Sequence, residues 1–263
     1  MTRAAAFFDL DKTILATSSA FAFARPFYRG GLIGRSDVVR SAYAQFIFLA
    51  SGADHDQMET MRRYMSDLVT GWDVAKVREI VAETIDDIID PAIYAEALAL
   101  IDEHRAAGRD VVIISSSGTE VVEPIGERLG VDIAVGTQLA VQEGRFTGEI
   151  LFYAYGEGKA QAMRDLSEER GYDLAVSYAY TDSITDLPML EAVGNPTAVN
   201  PDADLRRIAA ERDWPVLDFA RPVSMRSRLP IEKRQAVAAG AAAAAMSAVA
   251  LGIAWYSRHR RIS

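Results

Sequence analysis

The stretch Phe7-Phe8-Asp9-Leu10-Asp11-Lys12-Thr13 decides the fold of this chain. It closes a short apolar run that begins at Ala4, and such a run is typical of a strand buried on both faces. Side chains two apart on an extended stretch can face one ligand, so Asp9 and Asp11 can act together. Two carboxylates this close repel each other unless a divalent cation or a shared proton relieves the repulsion. The stretch therefore predicts a metal-assisted site or an acid–base pair after a core strand, although taken alone it could also be a solvated loop.

Downstream of residue 95 the chain alternates between helical and strand-like patterns. Residues Ala95 to Ala107 have a helical pattern that Gly108 ends, and the apolar run Val111 to Ile114 follows as a buried strand. A second helix is predicted from Glu120 to Leu129, ending at Gly130. Further strands are predicted at Val131 to Val135, Val176 to Thr181, Thr197 to Asn200 and Val216 to Phe219, with a hairpin over Leu139 to Ile150 that turns at Glu143-Gly144. This alternation predicts an α/β fold with a mainly parallel sheet.

The segment between the first two strands is predicted to be a helical insertion. Residues 16–95 are mostly helical in pattern, with breaks at Gly30-Gly31 and at Ser51-Gly52-Ala53. The chain therefore divides into a catalytic core of residues 1–15 and 96–225, an inserted helical domain of residues 16–95, and a C-terminal region of residues 226–263.

Three more polar groups follow predicted strands or begin predicted helices. Ser115, with Ser116 after it, lies where an apolar strand ends, and a hydroxyl beside free N–H groups at a helix start makes an anion site. Lys159 begins a helix among glycines, and Asp182 and Asp186 follow another strand with the oxygen ligands that Mg²⁺ prefers. Singly, each has a simpler explanation: a helix N-cap, a solvated lysine, an Asx-rich turn. Together they lie at the carboxyl ends of strands, where open α/β sheets bind ligands.

In this order the motifs closely resemble the haloacid dehalogenase superfamily of phosphohydrolases, with DxDxT, a serine after the second strand, a lysine and DSxTD. The resemblance covers about residues 4–200, and the sequence pattern is most similar to that of subfamily IB, which includes the phosphoserine phosphatases. It implies a Rossmann-like core with an inserted helical cap of the C1 type, a phosphomonoester substrate, and Mg²⁺ as the cofactor.

The resemblance also implies a role for each motif residue. Asp9 would be the nucleophile that forms an aspartyl-phosphate, and Asp11 the general acid and base. The phosphate-binding residues would be Thr13, which orients the loop, Ser115, the backbone N–H of Ser116, and Lys159. The metal ligands would be Asp9, the backbone carbonyl of Asp11, and Asp182, with Asp186 supporting the site directly or through another ligand.

Three positions in the cap are candidates for substrate recognition. Phosphoserine phosphatases have a glutamate nine residues after the nucleophile, where this chain has Ser18, and this difference argues against phosphoserine. Arg62 or Arg63 could bind a substrate carboxylate or phosphate, although an exposed helix arginine is the commoner case. The cap stretches Ala20 to Tyr28 and Tyr43 to Ala50 are rich in aromatic and aliphatic residues, which core packing or a lipid-linked phosphate substrate would explain.

Composition excludes several classes of function. The 263 residues carry a net charge of −9, so nucleic acid is not the expected partner, and the absence of cysteine excludes a thiolate nucleophile or a disulfide framework. The three histidines, His55, His104 and His259, lie away from the motifs and are predicted to be surface residues. Nothing in the sequence indicates an oligomeric state.

The C-terminal region predicts a membrane anchor. Residues 236–256 contain no charged side chain over 21 positions, enough for a helix of roughly 31 Å that matches a bilayer core. Basic residues flank this segment on both sides: Arg226, Arg228, Lys233, Arg234, Arg258, Arg260 and Arg261. We therefore expect a single-pass C-terminal anchor with the core on the cytoplasmic side; the alternative is a cytoplasmic protein whose Ala-rich helix docks on the core or on a partner. The alternative function is a membrane-tethered scaffold or regulator that keeps the fold without needing catalysis.

Overall fold

A seven-stranded sheet carries the fold of this chain, in a computed structural model that describes residues 3–34, 62–63 and 66–220. The strands are β1 (Ala5–Phe8), β2 (Asp110–Gly118), β3 (Ile133–Gln142), β4 (Arg145–Phe152), β5 (Tyr178–Thr181), β6 (Asn195–Val199) and β7 (Val216–Leu217). Their order is β4-β3-β2-β1-β5-β6-β7, and every neighbouring pair is parallel except β3 and β4. The prediction of an α/β fold with a mainly parallel sheet is confirmed.

The described helices follow the predicted pattern closely. They are α1 (Ser19–Arg29), α2 (Val74–Ile88), α3 (Ala95–Ala106), α4 (Thr119–Leu129), α5 (Glu157–Arg170), α6 (Leu187–Glu191) and α7 (Ala203–Glu211), with short 3₁₀ helices at Asp90–Ala92, Leu174–Val176 and Ile184–Asp186. Gly130 stands directly after α4, and Gly108 follows Ala107, the residue after α3. Their φ angles of +66° and +71° are those of a left-handed backbone, which glycine adopts without a steric penalty. These two glycines end their helices as predicted.

The hairpin between β3 and β4 also forms where the sequence predicts it. Glu143 and Gly144 have φ of +52° and +77°, which is the two-residue turn whose twist matches antiparallel strands. The predicted strand over residues 131–135 is longer in the structure, because β3 pairs with β2 at one end and continues into the hairpin at the other.

The core packs against both faces of the central strand β1. Phe7 and Phe8 are buried and point to opposite faces, since side chains alternate along a strand. The Phe7 ring meets Tyr172 edge-on at 6.2 Å, and the Phe8 ring stacks on Tyr180 at 4.5 Å. A strand covered in this way on both faces holds the loop after it firmly in place.

His104 is part of this core, so the prediction that it is a surface residue is wrong. It is 2% exposed, accepts a hydrogen bond from Arg109 Nε at Nδ1 (2.7 Å), and places Nε2 2.8 Å from the Tyr180 hydroxyl. Burial, assisted by the charge of Arg109, lowers the pKa of His104 to about 4. The imidazole is tolerated in the core because both ring nitrogens have partners, which its sequence neighbours do not reveal. His55 and His259 lie outside the described residues.

Helices α1 and α2 lie within the predicted insertion of residues 16–95. Helix α1 ends at Arg29, directly before the predicted break at Gly30-Gly31, and α2 packs against α1 and α4. The second predicted break, at residues 51–53, lies outside the described residues, and the boundaries of the inserted domain remain a prediction.

No helix within residues 3–34, 62–63 and 66–220 has both the length and the hydropathy needed to cross a bilayer. The predicted span of residues 236–256, like the rest of the C-terminal region of residues 226–263, lies outside the described residues. The predicted hydrophobic helix and membrane contact therefore remain predictions from the sequence.

Candidate active site

The predicted site residues meet at the carboxyl edge of the sheet, around β1. Strand β1 lies between β2 and β5, where the strand order reverses, and this point of an open α/β sheet forms a ligand crevice. Phe8 is in register with Ile113 and with Tyr180, so Asp9, Ser115 and Asp182 lie at similar heights along neighbouring strands. The backbone N–H of Asp9 donates to the Tyr180 carbonyl (2.9 Å), which fixes the start of its loop.

Lys159 links two of the predicted carboxylates. Its ammonium lies 2.5 Å from Asp9 Oδ1 and 2.6 Å from Asp186 Oδ2, and it is 2% exposed. This burial excludes a solvated lysine. The lysine reaches the sheet edge because α5 begins close to the chain before it: a Cβ on Gly158 would collide with the carbonyl oxygen of Tyr153.

Asp186 is held by a second hydrogen bond as well. The Thr181 hydroxyl donates to Asp186 Oδ2 at 2.7 Å, so this one oxygen serves both Thr181 and Lys159. The sequence prediction missed Thr181. Its signal was a hydroxyl at the last position of a buried strand, directly before Asp182.

Asp11 is positioned by the start of α1. Its Oδ1 accepts the backbone N–H of Ser19 (2.9 Å), and its Oδ2 accepts the Ser18 hydroxyl (3.3 Å). The first N–H groups of a helix lack partners within the helix and carry partial positive charge, so they favour a carboxylate. Burial nevertheless raises the pKa of Asp11 above its usual value, and these hydrogen bonds oppose the increase.

The serines in the last part of β2 contact the same helix start; β2 continues to Gly118 and does not end before Ser115 as predicted. Ser115 is buried and its Oγ accepts the N–H of Ser117 at 3.3 Å, while the Ser117 and Ser19 hydroxyls lie 2.7 Å apart. Ser116 is exposed, and its carbonyl accepts the Thr137 hydroxyl at 2.8 Å. Ser19, which joins Asp11 to the β2 loop, was not predicted; the run Thr17-Ser18-Ser19 before an apolar helix was the available signal.

Thr13 lies in the loop after β1 that also carries Asp9 and Asp11. It is 1% exposed, and its hydroxyl has no hydrogen-bond partner among the described residues. Lys12 before it has a φ of +60°, an uncommon conformation for a residue with a side chain, so the loop bends sharply between Asp11 and Thr13.

A cavity of about 380 Å³ opens on the Asp11 side of the site. Asp11, Ser18, Ser116 and Ser117 line one part of it, and most of the remaining wall is aliphatic or aromatic. Arg62 also lines the cavity, with its guanidinium 5.9 Å from the centre of the Tyr153 ring, whereas Arg63 is exposed. The structure thus places Ser18 and Arg62, but not Arg63, at the cavity wall.

Comparison with known proteins shows the family of this chain. The family model described as haloacid dehalogenase-like hydrolase matches residues 6–191. The chain belongs to this family. A protein from Streptomyces azureus named for inhibition of morphological differentiation is 58% identical over 99% of the chain and 95% of its own length. A protein of Mycobacterium tuberculosis named a probable phosphatase is 55% identical, covering 99% of the chain and 91% of the relative.

More distant relatives extend the comparison. A phosphoserine phosphatase of Mycobacterium tuberculosis is 36% identical, covering 94% of this chain and 80% of its own length. The crystal structure of a protein of unknown function from Bordetella pertussis superposes with a TM-score of 0.74 at 30% identity, covering 83% of this chain and 99% of the other. The predicted resemblance to the haloacid dehalogenase hydrolases is therefore confirmed.

The carboxylates of this hydrolase carry more negative charge than Lys159 can balance. Burial raises the pKa of Asp9 to about 8 against the attraction of Lys159, and neighbouring carboxylates add to the increase. Burial likewise raises the pKa of Asp182 to about 7, although Lys12 opposes the change. Burial lowers the pKa of Lys159, but Asp186 and Asp9 raise it by more, so the ammonium stays charged. An additional cation would let all the carboxylates ionise together.

The donor atoms of the site fit a hard divalent cation. Asp9 and Asp182 supply carboxylate oxygens, while Asp186 already binds Lys159 and Thr181. In the described ranges, no three acidic or histidine side chains are grouped closely enough to form a metal site by themselves. Mg²⁺ does not need such a group, because it usually binds one or two carboxylates and keeps several waters.

Proposed function

We propose that this chain is a Mg²⁺-dependent phosphatase that hydrolyses phosphomonoesters through a phosphorylated Asp9. The observation that carries the proposal is the buried contact of Asp9 with Lys159 beside an Asp11 that α1 holds in place. The family is one of hydrolases, and two of its members similar to this chain are named as phosphatases. A nucleophilic carboxylate, a buried cation and a separate acid are the groups that phosphoryl transfer through an aspartate needs.

The two aspartates would act in sequence. An Asp9 oxygen forms a bond to phosphorus while the bond between phosphorus and the substrate's alcohol oxygen breaks, and Asp11 gives its proton to that oxygen. Asp11 then takes a proton from the water that attacks the aspartyl-phosphate, which releases inorganic phosphate and restores Asp9. The raised pKa of Asp11 suits a group that must first carry a proton and then accept one.

Three groups would bind the phosphoryl oxygens. Lys159 brings a fixed positive charge that needs no reorganisation during the reaction, because Asp186 holds it from the other side. Ser115 and the backbone N–H of Ser116 lie in the last part of β2, shortly before α4, and the start of a helix favours an anion. Thr13 would keep the loop after β1 in the required bend.

Mg²⁺ would be held by the carboxylates of Asp9 and Asp182 and by the backbone carbonyl of Asp11, with Asp186 supporting the site through Lys159 and Thr181. When bound, the ion neutralises charge on the carboxylates and on the phosphoryl group. Magnesium binding is therefore expected to stabilise the folded protein as well as to support turnover.

The proposed substrate is a small or lipid-linked phosphomonoester, selected by residues 16–95 acting as a helical cap. Ser18 at the cavity wall donates to Asp11, so it is available to position the acid rather than to bind a substrate ammonium. A C-terminal membrane anchor at residues 236–256 would bring the enzyme to lipid-linked substrates. Phosphoserine stays a candidate because a similar protein is named a phosphoserine phosphatase.

The test compares the wild type with Asp9→Asn and with Asp102→Asn, which changes an exposed aspartate on α3. Phosphate release is measured with and without Mg²⁺ against phosphoserine, sugar phosphates, nucleotides and lysophospholipid phosphates. We expect Mg²⁺-dependent release by wild type and Asp102→Asn, loss in Asp9→Asn, and base-labile radiolabel on the wild-type protein after acid quenching. Equal release by wild type and Asp9→Asn would refute the nucleophile. Full cellular complementation by an inactive Asp9→Asn protein would instead favour the scaffold or regulator.

A further inference from the structure

The cavity next to Asp11 is large and mainly apolar for a site that handles a charged phosphate. Its volume of about 380 Å³ falls in the range of roughly 300–1,000 Å³ that is typical of pockets for organic ligands. The apolar wall includes Trp72 before α2, Val121 on α4, and Leu139, Phe146 and Ile150 on the β3–β4 hairpin. Side chains from separate elements thus converge on one space beside the acid.

The position of the cavity relative to the reaction decides which part of the substrate it can hold. If Asp9 attacks phosphorus, the leaving alcohol oxygen lies on the opposite side and must come within reach of the Asp11 proton, so this step rests on the proposed function. Asp11 lines the cavity together with Ser18 and Ser117. The carbon skeleton of the alcohol, which is bonded to that oxygen, therefore extends into the cavity.

The wall chemistry indicates what kind of alcohol fits. Away from Asp11 and the serines, most of this wall cannot replace the water that a charged group of a small polar alcohol would lose, which is costly. An apolar group, in contrast, gains by leaving water. Besides Asp11, two charged residues line the cavity. Glu120 has Arg78 as an ion-pair partner at 3.6 Å, and the Arg62 guanidinium lies 5.9 Å from the centre of the Tyr153 ring. We infer that the preferred substrate is a phosphomonoester of an alcohol that carries an apolar chain or ring, bound in the cavity beside Asp11.

The hairpin offers a matched pair of variants for the test. Ile150 and Leu139 are paired across β3 and β4 and both line the cavity, whereas Leu151, the next residue along β4, points outward and is 63% exposed. Ile150→Trp would fill the cavity, and Leu151→Trp makes the same chemical change on the outer face. Leu139→Phe is the second cavity-filling variant, in case Ile150→Trp does not fold.

The experiment uses full-length protein with n-alkyl phosphates from ethyl to octyl, below their micelle concentrations. We expect kcat/KM to rise about fourfold per added methylene until the cavity is full, because burying one methylene contributes about that factor. Ile150→Trp should lower kcat/KM for octyl phosphate by about tenfold or more, because the indole takes the space of the octyl chain. The same variant should leave kcat/KM for ethyl phosphate within about twofold of the wild-type value. Leu151→Trp should match the wild type with every substrate.

Calorimetry of the binding of the matching alkyl phosphonates separates the proposed apolar site from the proposed catalysis by Asp9. A flat series in both turnover and binding, or equal effects of Ile150→Trp and Leu151→Trp, would overturn the apolar site even if Asp9-dependent phosphate release were normal. Tighter binding of longer phosphonates with no Asp9-dependent release would support the apolar site and refute the catalytic proposal. Lysophosphatidate in mixed micelles, compared with octyl and phenyl phosphates in solution, shows whether the apolar group belongs to a lipid or to a soluble ester.

Discussion

Replacing Lys159 by methionine should reveal how strongly the buried ammonium holds the site together. Methionine keeps the length and much of the apolar stem of lysine but removes the charge between Asp9 and Asp186. Lys159 lies 2.5 Å and 2.6 Å from these carboxylates, and all three side chains are at most 8% exposed. The substitution therefore leaves two carboxylates without their common counter-ion, in surroundings that solvate them poorly.

The magnitude follows from this burial. Removing one partner of a buried ion pair costs about 3–5 kcal/mol of the free energy of unfolding. Adding Asp186→Asn to Lys159→Met removes one of the stranded charges, so the double variant should recover about 1–2 kcal/mol of that loss through the coupling of neighbouring residues. Loss of the ammonium should also lower kcat by about 10²–10³-fold, as for other fixed charges that stabilise a transition state.

Urea denaturation at neutral pH without metal measures the first two effects, and phosphate release with Mg²⁺ measures the third. Arg164→Met is the control, because Arg164 on the same helix lies 2.5 Å from Glu157 but both side chains are exposed, at 42% and 69%. That exposed pair should contribute at most about 0.5 kcal/mol. Similar losses for Lys159→Met and Arg164→Met, or no recovery in the double variant, would refute the reasoning that burial makes this lysine essential.

Substitutions at Asp11, His104 and Gly158 test three other parts of the structure. Asp11→Asn should lower kcat by about 10²–10⁴-fold for alkyl phosphates and far less for p-nitrophenyl phosphate, whose leaving group needs no proton; equal losses in steady-state kinetics would argue against an acid role. Because the pKa of His104 is lowered from 6.5 to about 4, its contribution to stability is complete above pH 6.5 and is lost as the pH falls towards 4. Urea titrations at a series of pH values should show a loss of up to about 3 kcal/mol of the free energy of unfolding over this range. His104→Gln should lack this part of the pH dependence. Gly158→Ala should lower the melting temperature, because the added Cβ collides with the Tyr153 carbonyl oxygen. We expect a loss of about 1–3 kcal/mol of the free energy of unfolding, whereas this substitution inside a helix usually gains roughly 1 kcal/mol. A more stable variant would show that the backbone at Tyr153 can move away.

Much of the fold could be predicted because its signals are local. The apolar runs before Asp9 and Ser115 are long enough to mark buried strands, and Gly108 and Gly130 end helices through a backbone conformation that depends on the residue itself. The turn at Glu143-Gly144 is likewise set by its own two residues. The candidate site followed from the same signals, because parallel strands bring their carboxyl ends to one edge wherever the helices pack.

Contacts between distant segments could not be predicted in this way. His104 has the sequence surroundings of a surface helix residue, yet it is buried because Arg109 and Tyr180 supply partners for both ring nitrogens. Ser19 and Thr181 were missed for a similar reason. Their hydrogen bonds to Asp11 and Asp186 depend on where α1 begins and on how a loop turns back.

The sequence by itself determined the order of strands and helices, the family, and the set of residues that we propose to carry the chemistry, because each rests on a residue type at a fixed spacing. Only the tertiary structure decided that Lys159 lies between Asp9 and Asp186, that α1 holds Asp11, and that an apolar cavity opens beside it. These features are made by side chains that are far apart along the chain. The spacing of residues along the chain sets which side chains a loop carries, and the packing of distant segments sets which groups those side chains contact.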